Sequence, residues 1–194
     1  KGFQFGDIPE CNSLITILKE NGYKSNVFYA GSFKFDRISD YLLSQDVDYI
    51  SPFYLECVKE RNKNKFDYTN WGYQDAKMFE RSSEVIKERD AKEPNLDILI
   101  TISQHDNRFV LNNNKDLENY YYEKAESLLQ SLPDNESQKL RRRKGFIAAF
   151  LYSDDALRDF FHSYIKQHDN TIFVITGDHS LNSYSSNPLS AYHV

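Results

Sequence analysis

Two places in this chain put a polar, metal-capable cluster directly after an apolar run. Residues 96–102 lead into Ser103-Gln104-His105-Asp106, and residues 171–176 lead into Gly177-Asp178-His179-Ser180. A glycine lets the backbone turn sharply, so the carboxylate and imidazole that follow it project together from a strand end. Carboxylate oxygen with imidazole nitrogen suits Zn²⁺ or Mn²⁺, whereas Ca²⁺ prefers an all-oxygen shell. Asp178 and His179 are therefore candidate metal ligands, although two donors leave a coordination shell unfilled. An isolated Asp-His pair at a strand end is more often a hydrogen-bonded turn than a metal site, and His105 alone is more often structural; the recurrence of the pattern after two apolar runs strengthens the case for each. His193 follows a loop containing Pro188 and is a weaker candidate for the same pocket. His162 and His168 fall on the polar side or end of a helix and are expected to be solvated. Tyr120-Tyr121-Tyr122 is expected to serve packing and surface, with a sugar or glycerol contact as the alternative.

The elements that must position these residues alternate between helix and strand. Asn12 or Ser13 caps a helix carrying Leu14, Ile15, Ile17 and Leu18 and stopped at Gly22. A short strand over residues 26–30 breaks at Gly31, and Phe35, Ile38, Tyr41 and Leu42 share a helix face at spacings of three and four. A strand near residues 47–51 is followed by a charged, Asn/Lys-rich stretch, 55–68, expected to be loop. Residues 75–92 read as a helix with Ala76, Phe79, Val85 and Ile86 inward. The run 96–103 is apolar and β-branched, the pattern of a strand buried on both faces. Residues 116–132 and 137–167 read as helices, the second with Phe146, Phe150, Leu157, Phe161 and Tyr164 inward. Residues 171–176 form the second fully apolar strand. Strands alternating with helices of this length imply βαβ units: an α/β fold, three-layered, with helices on both faces of a mostly parallel sheet. In such a sheet, ligands bind beyond the carboxyl ends of the strands, where His105 and Asp178-His179 fall.

The bulk properties suit one globular domain of 194 residues: 40% hydrophobic, 15% aromatic and 27% charged. A net charge of −5 argues against a general nucleic-acid partner. The basic run Arg141-Arg142-Arg143-Lys144 reads as a solvated helix face. Cys11 and Cys57 define no disulfide framework, and no run approaches the roughly 18 apolar residues of a membrane span. The opening at Lys1 and the apolar start at Tyr192-His193-Val194 lead us to expect a partial domain over residues 1–194, truncated at both ends.

The segment from Ile172 to His179 resembles the metal-binding strand end of the alkaline phosphatase superfamily, and is most similar to its sulfatase and lipoteichoic acid synthase branch. Other pieces agree in the same order. Residues 12–23 resemble the helix leading into Phe28-Tyr29-Ala30-Gly31, and Phe35-Asp36-Arg37 the substrate loop. Trp71-Gly72-Tyr73-Gln74-Asp75 with Met78-Phe79 resembles a W-G-x-x-D…F segment. Thr101 to His105 resembles a T-x-S-x-H motif, residues 152–161 the helix before the metal strand, and Tyr192-His193-Val194 the start of the strand after it. The resemblance implies an alkaline phosphatase-like sandwich and one catalytic divalent ion, Mn²⁺ or Zn²⁺, on Asp178 and His179. His105 would meet the substrate's phosphate or leaving oxygen as catalytic and binding residue. Arg37 would grip an anionic head group with its forked guanidinium. Ser32 stands where relatives often carry Asp, and Asn107 replaces the proline of H-x-P-F, so head-group contacts are expected to differ. Cys57 has Arg61 four residues on, but Lys59 between them does not suit a formylglycine site.

The resemblance further implies a Thr or Ser nucleophile and a second acidic ligand upstream of Lys1, so this stretch alone is expected to be inactive. The implied activity is phosphoglycerol transfer, as in lipoteichoic acid synthases, or sulfuric ester hydrolysis. Partners would be an anionic lipid head group, a glycan, or a sulfate or phosphate ester, at the extracytoplasmic face of the cell membrane through an N-terminal anchor. The alternative is a catalytically inactive module of the same fold that binds anionic glycans or lipids.

Overall fold

A computed structural model describes residues 12–60, 68–90, 92–105 and 109–177 of the chain. Helix α1 (Leu14–Glu20) begins at Ser13, which forms a reciprocal capping box with Thr16. Strand β1 (Lys24–Tyr29) follows and is buried from Ser25 onward. A single 3₁₀ turn (Phe35–Arg37) leads into α2 (Ile38–Ser44), and β2 is the two-residue strand Tyr49–Ile50. After α3 (Phe53–Glu60) and α4 (Asp75–Lys87) comes β3 (Asn95–Ile100). The chain then turns helical through α5 (Lys115–Ser131), α6 (Asp134–Leu140) and α7 (Lys144–Ile165).

The sheet is parallel, in the order β2-β1-β3, with Val27 opposite Ile50 on one side and Ile98 on the other. Successive β1 side chains serve opposite faces, as the two-residue period requires. Val27 packs with Ile15 and Leu42 from α1 and α2. Phe28 enters the opposite core with Phe53, Met78, Phe79 and Ala156 from α3, α4 and α7. Helices therefore cover both faces, and the three-layer α/β architecture expected from the sequence is present.

A third cluster, built on Phe109, Leu111, Tyr121, Ala125, Ala148, Ala149 and Tyr152, joins α5 to α7. Glu126 on α5 pairs with Arg141 and Lys144, so part of the basic run is a solvated, salt-bridged surface, as expected.

Several details differ from the sequence reading. The stretch 55–68, expected as loop, begins inside α3, where Phe53 and Cys57 are buried. The amphipathic pair at spacing four outweighed the polar composition around it. Helix 137–167 is broken by a 3₁₀ turn at Arg141–Arg143. The fully buried residues of α7 are Ala148, Ala149, Tyr152, Ser153 and Ala156; of the residues expected inward, Leu157 and Tyr164 pack against the core, while Phe146 and Phe161 are half-buried and Phe150 is exposed. The alanines let α7 approach α4 and α5 closely, and rings fill the space beside them: Tyr152 packs with Phe109 and Tyr121, and Phe160 stacks on Phe79 of α4 at 4.7 Å. On α4, Ala76 is exposed and Met78 takes the buried position. His162 is exposed, as expected, whereas His168 is partly covered, its ring 4.3 Å from that of Tyr164.

Strand β3 is half-buried along its whole length instead of enclosed on both faces, because it pairs with β1 alone among the described residues. Among the described residues the expected strand at 171–176 forms no ladder. Ile172 is 92% exposed and Val174 84% exposed, while Phe173 rests 4.6 Å from Phe161, ring to ring. A β-branched apolar run has strand propensity, but propensity makes no strand without a paired neighbour.

Candidate functional site

The order β2-β1-β3 places a topological switch point at the carboxyl ends of β1 and β3. The chain leaving β1 goes to α2 on one face, and the chain leaving β3 goes towards α5 and α7 on the other. The loops diverge there, which is the place where open α/β sheets bind their ligands, in a crevice beyond the strand ends.

The first loop begins at Ala30 and Gly31. A Cβ on Gly31 would come within 2.4 Å of the Tyr29 ring and 2.7 Å of Ile102, so a larger residue here requires those side chains to shift. Burial pushes the Tyr29 phenol up from its ordinary pKa. Ser32 is half-buried, and its carbonyl accepts the Phe35 N–H at 2.9 Å. Asp36 (φ 51°) and Arg37 (φ 58°) are both left-handed, a conformation that costs about 1–2 kcal/mol per non-glycine residue. Two consecutive residues of this kind are strained backbone beside a crevice. They turn the chain into α2, where Arg37 Nε donates to Asp40 Oδ2 at 2.8 Å. The Asp36 Oδ1 atom is buried without a partner among the described residues.

The second loop is held by Asp75, the first residue of α4, which has no solvent exposure. Its Oδ1 accepts the N–H groups of Ile102 (2.8 Å) and Ser103 (3.0 Å), and its Oδ2 accepts the Ser153 hydroxyl at 2.7 Å. The Asp75 N–H in turn donates to Ser103 Oγ at 3.0 Å. Beyond this clamp a turn closes with the His105 N–H donating to the Ile102 carbonyl at 3.0 Å, and the His105 side chain stands exposed.

A third segment bridges the two loops. Gly72 has φ 154°, and a Cβ there would lie 1.9 Å from the Ala30 carbonyl oxygen, so the backbone of this turn lies directly on the end of β1. Next to it Trp71 lies 4.3 Å from the His105 ring, tilted by 51°. Phe35 meets Trp71 edge-on at 5.9 Å and His105 edge-on at 6.2 Å. The rings of Phe35, Trp71 and His105 thus form one cluster, with Arg37 two residues from its edge. Gln74 lies between Gly72 and Asp75, fully buried, with its Oε1 and Nε2 both unpartnered among the described residues.

Of the residues singled out in the sequence, the structure brings Ser32, Arg37 and His105 to one end of the sheet. Asp178, His179 and His193 lie outside the described residues. Trp71 and Asp75 entered the sequence reading only within a motif, and Phe35 only as a helix-face and loop residue. Spacing alone gives no sign that an aromatic ring 34 residues upstream would stack on His105. Among the described residues no group of three or more His, Cys, Asp or Glu side chains is arranged to hold a metal ion.

Comparison with known proteins fits this geometry. The Sulfatase family model matches residues 5–193. The chain belongs to the sulfatase family. This sulfatase-family chain is also similar in fold to two solved structures. One is the lipoteichoic acid synthase LtaP from Listeria monocytogenes, at 16% identity and TM-score 0.57 over 79% of this chain and 33% of that one. The other is a protein in the alkaline phosphatase superfamily from Vibrio parahaemolyticus, at 22% identity and TM-score 0.62 over 94% of this chain and 39% of that one. The chain therefore spans between a third and two-fifths of the length of these structures. No curated protein matches it significantly. The fold is alkaline phosphatase-like, and the family acts on sulfate or phosphate esters, generally with divalent metals.

Proposed function

We propose that this chain forms part of a metal-dependent enzyme of phosphate or sulfate esters, in which Arg37, Ser32 and His105 meet the substrate. Phosphoglycerol transfer is the favoured reaction and sulfuric ester hydrolysis the second. The observation that carries this reading is the ring cluster of Phe35, Trp71 and His105, which joins the loops after β1 and β3 at the switch point. The cluster puts the Arg37 loop and the His105 loop on one crevice.

The chemistry assigned to these residues follows from their types. The guanidinium of Arg37 offers a planar fork of donors to the non-bridging oxygens of a phosphate or sulfate. Its Nε contact with Asp40 leaves the group oriented on the loop. Ser32 supplies a hydroxyl to the same head group. The exposed imidazole of His105 donates a hydrogen bond or a proton to the leaving oxygen as the ester bond breaks.

Asp178 and His179 would hold the divalent ion, Mn²⁺ or Zn²⁺, for which a carboxylate and an imidazole are suitable donors. Bound there, the ion supplies Lewis-acid stabilisation of the charge on the transferring group. The remaining ligand and the Thr or Ser nucleophile are assigned to parts of the protein outside this chain. The resemblance to lipoteichoic acid synthases favours an anionic lipid head group as donor and a membrane-anchored enzyme facing outward. Among the described residues no helix is long and apolar enough to cross a membrane.

The test is turnover by the full-length protein of p-nitrophenyl phosphate, p-nitrophenyl sulfate and phosphatidylglycerol with Mn²⁺ or Zn²⁺ added. Arg37→Ala is expected to raise KM about tenfold through loss of a charge-assisted contact. His105→Ala is expected to lower kcat by roughly a hundredfold. Unchanged kinetics in both variants would remove these residues from the site. Binding of the esters with no turnover would convert the reading to that of an inactive binding module.

A further inference from the structure

We propose that Trp71 is a positioning residue for His105, holding its exposed imidazole in a single rotamer over the crevice between β1 and β3. This rests on reading His105 as the group that meets the substrate. His105 ends a turn at the edge of the sheet, and no hydrogen bond to its ring nitrogens occurs among the described residues. An exposed side chain with two free torsions populates several staggered rotamers, and a proton donor that wanders among them is out of reach for part of the time. What restrains the ring is aromatic contact: Trp71 at 4.3 Å and Phe35 edge-on at 6.2 Å, both near or within the range in which such pairs attract.

Trp71 is itself well anchored, as a positioning group must be. Its N–H and that of Gly72 both donate to Thr69 Oγ1, at 3.0 and 3.3 Å, and the Thr69 N–H donates to the Gly72 carbonyl at 2.8 Å. Tyr68 and Tyr73 bridge the two sides of this turn, and Gly72 presses on the Ala30 carbonyl. The backbone that carries the indole is thus tied to the end of β1, while the His105 backbone is tied through Ile102 and Ser103 to Asp75 and the end of β3. The stack fixes the imidazole relative to the Arg37 loop across the crevice. Trp71 touches no reacting atom in this account; it acts through His105.

The experiment uses the full-length protein with histidine isotopically labelled, in wild type, Trp71→Ala, Trp71→Phe and His105→Ala forms. Three-bond N–Cγ and C′–Cγ couplings of His105 report its χ1 rotamer, and turnover of p-nitrophenyl phosphate gives kcat and KM. Wild type is expected to show couplings of one rotamer. Trp71→Ala is expected to show averaged couplings and a kcat lower by about tenfold or more, with KM changed less than about twofold. Trp71→Phe keeps a ring at the contact and is expected to restore the single rotamer and most of kcat. Single-rotamer couplings in Trp71→Ala would overturn the proposal, as would unchanged kcat in that variant while His105→Ala is impaired. Unchanged turnover in His105→Ala overturns instead the reading of His105 on which it rests. If Trp71→Ala fails to fold, averaged His105 couplings in the folded Trp71→Phe variant overturn the claim that an aromatic ring there is sufficient.

Discussion

Asp75 has no solvent exposure, yet its carboxylate receives hydrogen bonds from the end of β3 and from Ser153 on α7. Removing it leaves two backbone N–H groups and a hydroxyl buried without partners. Each orphaned group costs about 1–3 kcal/mol. Asp75→Ala is therefore expected to lose about 3–5 kcal/mol in chemical denaturation, and a loss below about 1 kcal/mol would show that the network is not what holds the β3 loop. The sequence made Asp75 visible only as the last letter of a W-G-x-x-D motif. Its spacing marks a helix start, but nothing local says that the carboxylate points inward to bind the backbone 27 residues later. His105 stood out by residue type and position after a strand, and Arg37 only through the resemblance of Phe35-Asp36-Arg37 to a family loop. The left-handed Asp36-Arg37 pair was not legible, since neither is a glycine and backbone strain leaves no mark on composition.

At the scale of elements, the helices and the first strands follow from periodicity and caps, while the choice of inward face does not always. On α7 the sequence offers phenylalanines at helical spacing, yet the buried face carries alanines and serines because two other helices press on it. Hydrophobic period identifies a helix; the partner decides which stripe is covered. The pairing of α5 with α7 also has an electrostatic side. The hydrogen bond from Lys124, 2.7 Å away, holds the Asp155 carboxyl below the usual carboxylate range; partial burial opposes this, and the Tyr121 hydroxyl adds to it at 3.1 Å. A carboxylate depressed in the folded state stabilises the fold above its unfolded pKa, and that contribution fades as pH falls through the folded value. Stability measured by denaturant is expected to drop below about pH 4, and Asp155→Asn to flatten that acid limb while costing about 1 kcal/mol at pH 7. An acid limb unchanged by the substitution would contradict this assignment.

For the whole molecule, the alternation of strands and helices was enough to give an α/β sandwich with a parallel sheet, and the ordered motifs were enough to give the family. The strand order that creates the switch point was not legible, because pairing order depends on contacts distant in sequence. The run at 171–176 shows the same limit: its composition says strand, while the described chain leaves Ile172, Val174 and Ile175 exposed and without a sheet partner. The central claim, a metal-dependent ester enzyme with Asp178 and His179 as ligands, is tested most directly by the metal content of the purified full-length protein. Wild type is expected to carry about one equivalent of Mn²⁺ or Zn²⁺, and Asp178→Ala to lose most of it with the fold intact by circular dichroism. An Asp178→Ala protein that retains the wild-type metal content would contradict the account.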